Sequence, residues 1–218
     1  MEKPQQLLLN LAHRPAYGRE DFWVSACNQE SVAWIDRWPD WPATGLVIVA
    51  APASGKTHLA QVWQKKTSAV DARSITEAAV CPAAVIFDDA DVFLKEAGNE
   101  RRVLHLINQV REQRGTFLMT AATLPSAWGI QLPDLASRLN ALPCVTVAPP
   151  DETLMSVVLA KMFSDRQVFV SEDVIRFIVA RIERSFASLR DIADKIDRAA
   201  LSKKKPVTIP FVRELLSE

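Results

Sequence analysis

The chain has 218 residues, 49% hydrophobic and 24% charged, with 26 basic and 26 acidic side chains and a formal net charge of zero. That length and composition fit a soluble globular chain of one good-sized domain plus a small one. Neutrality argues against a protein held to nucleic acid mainly by counterion release, although it leaves room for a local basic patch.

In chain order, residues 1–20 carry Gln6-Leu7-Leu8-Leu9-Asn10-Leu11 ahead of a loop with Pro15 and Gly18. Leu7, Leu9 and Leu11 alternate, so an extended segment projects all three to one side. That suits either a groove-binding peptide or an edge strand packed on its own domain. Gln6 at the head can both donate and accept hydrogen bonds, which a groove would use and an internal strand would not need. Asn28 is an N-cap candidate for a helix over Glu30 to Trp38, with Val32, Ile35 and Trp38 on one side. Trp38-Pro39-Asp40-Trp41-Pro42 reads as a turn, and its tryptophans as packing.

Five apolar runs follow, separated by helical or loop segments. They are Leu46 to Val49, the weak Val70-Asp71-Ala72, Ala83 to Phe87, Phe117 to Thr120 and Val145 to Val147. Glu100 to Arg114 is a helix by the spacing of Val103, Leu106, Ile107 and Val110, and Gly115 marks its end. Strands alternating with helices mean a parallel sheet covered on both faces. Pro149-Pro150 marks a boundary, after which the spacing is helical throughout. One helix carries Leu154, Val157, Val158 and Met162. A second follows Ser171 as N-cap, with Val174, Ile175, Ile178 and Ile182 inward. A third carries Leu189, Ile192, Ile196 and Ala200, and a short fourth covers Phe211 to Leu216. Lys203-Lys204-Lys205 between the last two reads as a solvated loop.

The first apolar run leads into Ala50-Ala51-Pro52-Ala53-Ser54-Gly55-Lys56-Thr57-His58. This fits the phosphate-cradle pattern, a small residue, four spacers and then Gly-Lys-Thr. The loop N–H groups and the following helix N-terminus favour anionic oxygens. Lys56 would reach the β- and γ-phosphates, Thr57 would offer a hydroxyl to Mg²⁺, and Gly55 lets the backbone approach. Ala50 replaces the strict motif's first Gly and requires a negative φ there. Ala53 also stands where many such loops carry Gly, so a stiff loop is expected.

The third run ends in Asp88-Asp89. At a strand end beside a phosphate loop, Asp88 could hold the Mg²⁺ shell and Asp89 could orient or deprotonate an attacking water. Arg138 lies between the fourth and fifth runs, and Arg190 near the start of a helix in the C-terminal segment. Their planar forks suit phosphate, yet position alone reads equally as surface arginine. Cys27, Cys81 and Cys144 are far apart and form no Cys-x-x-Cys pair, so a reducing cytoplasmic setting is expected. His13, His58 and His105 have no metal-ligand spacing. No apolar run approaches a membrane span, and the N-terminus lacks signal-peptide features.

The loop with Lys-Thr-His-Leu, the Asp-Asp strand, Ser137-Arg138-Leu139 and Ser188-Leu189-Arg190-Asp191 occur in that order. Together they resemble the DnaA group of AAA+ proteins, and more narrowly its Hda regulators, over essentially the whole chain. The resemblance implies an αβα sandwich with a five-stranded parallel sheet of order 5-1-4-3-2 and a small C-terminal helical lid. The implied domains are a clamp-binding N-terminal segment 1–20, a nucleotide-binding domain 21–149 and a lid 150–218. It places ADP or ATP with Mg²⁺ on Ala53, Ser54, Gly55, Lys56, Thr57 and His58, with Thr57 and Asp88 on the metal and Asp88 and Asp89 in the Walker B role. It makes Thr120 a sensor 1 candidate, Arg138 the arginine finger and Arg190 sensor 2. Gln6, Leu7, Leu9 and Leu11 match the family's peptide for the sliding clamp, the β subunit of DNA polymerase III.

The implied function is inactivation of the initiator DnaA by promoting hydrolysis of its bound ATP, with weak turnover by the chain itself. DnaA continues into a helix-turn-helix domain, whereas this sequence ends at Glu218, so sequence-specific reading of duplex DNA is not expected. A homo-oligomer is compatible with the reading, and a membrane partner is not expected. Two alternatives stand beside it: an autonomous AAA+ ATPase acting as loader or remodeller, and a binding module that has lost its nucleotide.

Overall fold

The computed structural model describes residues 23–76, 82–203 and 205–217. The clamp-peptide residues Gln6, Leu7, Leu9 and Leu11 lie outside the described residues, as does Cys81. The chain forms two compact units, one carried by Cys27–Ala148 and the other by Pro149–Glu218 with Trp23–Ala26.

The first unit runs α1 (Gln29–Arg37), β1 (Gly45–Ala50), α2 (Lys56–Thr67), β2 (Val70–Asp71), β3 (Ala84–Phe87), α3 (Ala90–Phe93), α4 (Asn99–Glu112), β4 (Thr116–Ala121), α5 (Pro133–Asn140) and β5 (Cys144–Val147). All pairings are parallel, and the strand order is β2-β3-β4-β1-β5, which is 5-1-4-3-2 from the other edge. Each expected apolar run lies within one residue of a strand at both ends. Ala72 was expected in the second strand but opens a 3₁₀ turn instead. The Asp71 carboxylate accepts the Arg73 N–H at 2.8 Å and so diverts the backbone from the ladder.

Every residue of β1 is buried, as a central parallel strand requires. Val47, Val49, Val85, Phe87, Phe117 and Met119 share one core with Val103, Leu106, Ile107 and Val110 of α4 and Leu135 and Leu139 of α5. By strand alternation, Leu46 and Ile48 face the opposite layer, where α1 and α2 pack against the strands. Gly45 pairs in register with Phe117, and a Cβ on Gly45 would meet that ring at 2.3 Å. The missing side chain lets Phe117 lie across β1 and meet Phe87 edge-on at 6.0 Å.

The tryptophans pack. Trp41 stacks on Trp63 at 5.5 Å and donates to the Trp34 carbonyl at 2.7 Å, while Trp38 donates to Thr116 Oγ1 at 3.0 Å. Asn28 holds the N-cap position of α1 without a side-chain bond to it. Arg102 of α4 ties down the segment after β2, donating to the carbonyls of Ala72 at 2.8 Å and Ile75 at 2.7 Å.

The second unit is helical: α6 (Glu152–Asp165), α7 (Glu172–Val179), α8 (Phe186–Lys203) and α9 (Ile209–Ser217). Asp151 caps α6 by accepting the Leu154 N–H at 2.7 Å. Ser185 does the same for α8 through the Ser188 N–H at 3.1 Å, whereas Ser171 makes no side-chain cap bond to α7. The buried face of α6 is Leu154, Met155, Leu159 and Phe163, rotated from the expected one. This helix is apolar nearly all round, so its spacing does not single out a face. Val174, Ile175, Ile178, Leu189, Ile192 and Ile196 are buried as expected. Lys203 is the last residue of α8 and pairs with Glu214 at 2.7 Å, so the basic run is not wholly a solvated loop. That contact draws the exposed Glu214 carboxyl below its usual range.

After α4, Arg114 takes the left-handed turn at φ 55°, and Gly115 is required by close approach. A Cβ on Gly115 would stand 2.4 Å from the Ala83 carbonyl oxygen at the entry to β3. Gly115→Ala is therefore expected to cost about 1–3 kcal/mol, since backbone yields poorly to overpacking. A thermal melt checks this, with a Tm lowered by at least about 3 °C in a chain of this size.

Candidate functional site

The strand order decides where the site lies. β1, β4 and β3 are neighbours and parallel, so their carboxyl ends open on one edge of the sheet. Ligands of open α/β sheets bind outside that edge. The loop after β1, the acids after β3 and Thr120 near the end of β4 all meet there.

Ala50 ends β1 in extended conformation, so its Cβ is accommodated. The steric demand falls on Ala53, which adopts φ 57°, and on Gly55, at φ 90° as the N-cap of α2. A left-handed Ala costs roughly 1–2 kcal/mol, the kind of strain found where backbone is shaped for a ligand. No acid lies in the first turn of α2 and no side chain caps it. Its leading N–H groups are thus left for an anion. Ser54 is buried in the loop, and His58 is half-buried within the first turn of α2.

The side chains then form a linked set. Thr120 is fully buried; its hydroxyl donates to Asp88 Oδ1 at 2.5 Å and accepts the Asp89 N–H at 2.8 Å. Thr57 Oγ1 lies 3.4 Å from the same Asp88 oxygen. Asp89 sits at φ 49°, which Asp tolerates better than most residues. Its carboxylate stands 3.0 Å from Lys56 Nζ. Lys56, Thr57, Asp88, Asp89 and Thr120 are thereby brought together. The neighbouring oxygens of Thr57 and Asp88 are a hard donor pair suited to Mg²⁺, which keeps several waters and takes one or two protein oxygens. Among the described residues no group of three or more His, Cys, Asp or Glu could hold a metal ion.

Asp91 is a member that the sequence reading missed. It is buried, its Oδ2 accepts the Ala122 N–H at 3.1 Å, and its Oδ1 has no partner. The third acid in Asp88-Asp89-Ala90-Asp91, two residues beyond the left-handed Asp89, was the available signal. Arg138 does not join the set. It lies in the last turn of α5 and pairs with Asp134 at 2.9 Å, one turn earlier. Arg190 is exposed on α8, in the other unit. Cys144 is a free cysteine, and desolvation pushes its thiol up, away from thiolate reactivity. No helix among the described residues is long and apolar enough to cross a membrane.

Residues 152–216 match the family model described as "Hda, lid domain". The whole fold matches domain III of the replication initiation protein DnaA from Thermotoga maritima. The TM-score is 0.75, with 18% identity over 94% of this chain and 97% of that one. A C-terminal segment that matches the Hda lid model thus follows a fold shared with domain III of DnaA. AMPPCP-bound DnaA from Aquifex aeolicus is similar at TM-score 0.68 and 14% identity, covering 88% of this chain and 69% of that one. The Thermotoga maritima RuvB Holliday junction branch migration motor is similar at 0.65 and 13%, covering 87% and 68%. The same fold thus recurs at low sequence identity.

The Thr120 hydroxyl serves both acids of the site, so its loss should be felt in stability. Thr120→Val keeps the shape but strands the Asp89 N–H, at a cost of about 1–3 kcal/mol. Thr120→Ser should restore most of it. Urea unfolding of the two variants checks this, and a Val variant as stable as wild type would remove the hydroxyl from that role.

Proposed function

We propose that this chain is a nucleotide-binding regulator of replication initiation. It holds ADP or ATP at the carboxyl edge of the sheet, docks on the sliding clamp, and promotes hydrolysis of ATP held by DnaA. The observation that carries the reading is the phosphate-loop set of Lys56, Thr57, Asp88, Asp89 and Thr120 on a chain whose residues 152–216 match an Hda lid. The corresponding division of labour is a clamp peptide in 1–20, a nucleotide-binding domain in 21–149 and a lid in 150–218.

The chain's own residues account for binding. Loop N–H groups from Ala53 to Gly55 and the start of α2 face the phosphates, and Lys56 adds a point charge. Thr57 and Asp88 would hold Mg²⁺, which when bound neutralises phosphate charge. Thr120 keeps Asp88 and Asp89 in register. Arg190 on the lid answers the bound nucleotide. Arg138 acts in trans on the nucleotide of DnaA, where such an arginine is worth roughly 10³–10⁵ in rate. Gln6, Leu7, Leu9 and Leu11 form the clamp anchor. The protein would work in the cytoplasm, with DnaA and the clamp as partners.

The complete acid pair and its Thr120 support favour a second reading, turnover of ATP by the chain itself. Vigorous hydrolysis by the isolated protein would select it.

Lys56→Ala is expected to weaken ADP binding by about tenfold or more, the scale of one charged hydrogen bond, as read by calorimetry. The deciding experiment mixes this protein, DNA-loaded clamp and ATP-bound DnaA and follows conversion to ADP. Arg138→Ala should abolish the stimulation while leaving this protein's ADP affinity within about twofold; full stimulation by the variant would withdraw the finger assignment.

A further inference from the structure

The pairing of Lys56 with Asp89 bears on how the phosphate site is loaded. Lys56 Nζ stands 3.0 Å from Asp89 Oδ1, with the lysine side chain 11% exposed and the aspartate 45% exposed. The lysine of a phosphate loop is the cation that phosphate oxygens use. Here that cation already has a carboxylate on it. The arrangement is built in rather than incidental. Asp89 is held at φ 49° by the turn that caps α3, and its N–H is fixed on Thr120 Oγ1 at 2.8 Å. The backbone therefore aims this side chain, while Asp88 next to it is engaged by Thr120 and Thr57.

We propose that Asp89 is an internal competitor for the phosphate site, and so a determinant of which nucleotide it accepts. The Asp89 carboxylate occupies Lys56, and a phosphate must displace it to take the lysine. The displaced carboxylate then stands near the incoming negative charge. A triphosphate brings more of that charge than a diphosphate, so the competition weighs more heavily on the triphosphate. This inference rests on the nucleotide reading above.

Asp89→Asn tests it cleanly. Asn is isosteric, favours the same left-handed backbone, and keeps the N–H bond to Thr120. Calorimetric affinities for ADP and for the non-hydrolysable AMPPCP, both with Mg²⁺, separate binding from turnover. The expected result is about tenfold tighter AMPPCP binding in Asp89→Asn, with a smaller gain for ADP. That is the scale that a close charge pair can withhold. In a Lys56→Ala background the same substitution should gain less than about threefold, because the contested cation is gone.

Unchanged affinities in Asp89→Asn would overturn the proposal. So would a full tenfold gain in the Lys56→Ala background, which would mean that repulsion acts alone, with no competition for the lysine. Absence of binding by both wild type and Asp89→Asn would instead remove the nucleotide reading itself, and this inference with it. Should Asp89→Asn lose its cooperative thermal melt, Asp89→Gly suits the same backbone and carries the same expectations.

Discussion

Burial of both faces of a parallel five-stranded sheet is the constraint on which this structure depends. A parallel strand between two neighbours has no solvent face, so β1 is apolar along its whole length and Leu46, Val47 and Ile48 are fully buried. Polar residues can enter only where strands end. That rule drives Lys56, Asp88 and Asp89 to the carboxyl edge, and parallel pairing puts all the carboxyl ends on one side. Thr120 is the exception inside a buried central strand. It is tolerated at full burial because both hydrogen-bonding capacities of its hydroxyl are used, one on Asp88 and one on the Asp89 N–H. The chemistry of the site and the packing of the sheet are therefore one problem, solved at the last residues of three strands.

Left-handed backbone also marks this edge. Ala53 and Asp89 both adopt positive φ on the two loops that build the site, as Ser68, Arg114 and Gln167 do just after helices elsewhere. Elsewhere glycine meets the demands of crowding: Gly45 under the Phe117 ring and Gly115 against the Ala83 carbonyl are places where a Cβ has no room. Ala53 differs, since its conformation rather than its surroundings would suit glycine. Its retention of a methyl group fixes the unfolded chain less loosely than Gly would, which offsets part of the strain.

The fold was largely legible because it is written in runs of apolar residues, and those runs are what the sheet buries. β1, β3, β4 and β5 lie within one residue of their expected spans, and α4 buries the four residues its spacing names. The AAA+ strand order came from resemblance to the DnaA group, not from periodicity. Less legible were features set by three-dimensional pairing. The buried face of α6 is chosen by its neighbours, because a helix apolar all round offers several. Ser171 and Asn28 occupy cap positions without a side-chain cap bond, while Asp151 and Ser185 do the capping. Asp91 went unnoticed because its role depends on the Ala122 N–H, thirty-one residues away in sequence. The Lys56–Asp89 contact belongs to the same class: each residue was named, but no spacing rule joins them.

Two of the cations to which function is ascribed, Lys56 and Arg138, are held by aspartates, and the difference between the pairs carries meaning. Arg138 and Asp134 lie one helical turn apart on α5, with the aspartate side chain 57% exposed. Such a pair is worth only about 0.3–0.5 kcal/mol. It limits the swing of a long side chain without demanding much in exchange, so a partner's phosphate could take the guanidinium at little cost. Lys56 is far more enclosed, and its aspartate arrives from another strand on a backbone aimed by Thr120. Separating that pair takes a ligand that can replace the carboxylate in a partly desolvated place, where charge interactions are stronger than at the surface. A loosely held arginine suits action on a partner, and a tightly held lysine suits a site that resists emptying and filling. Under the proposed function, the two ion pairs would divide the labour between the chain's own nucleotide and that of a partner.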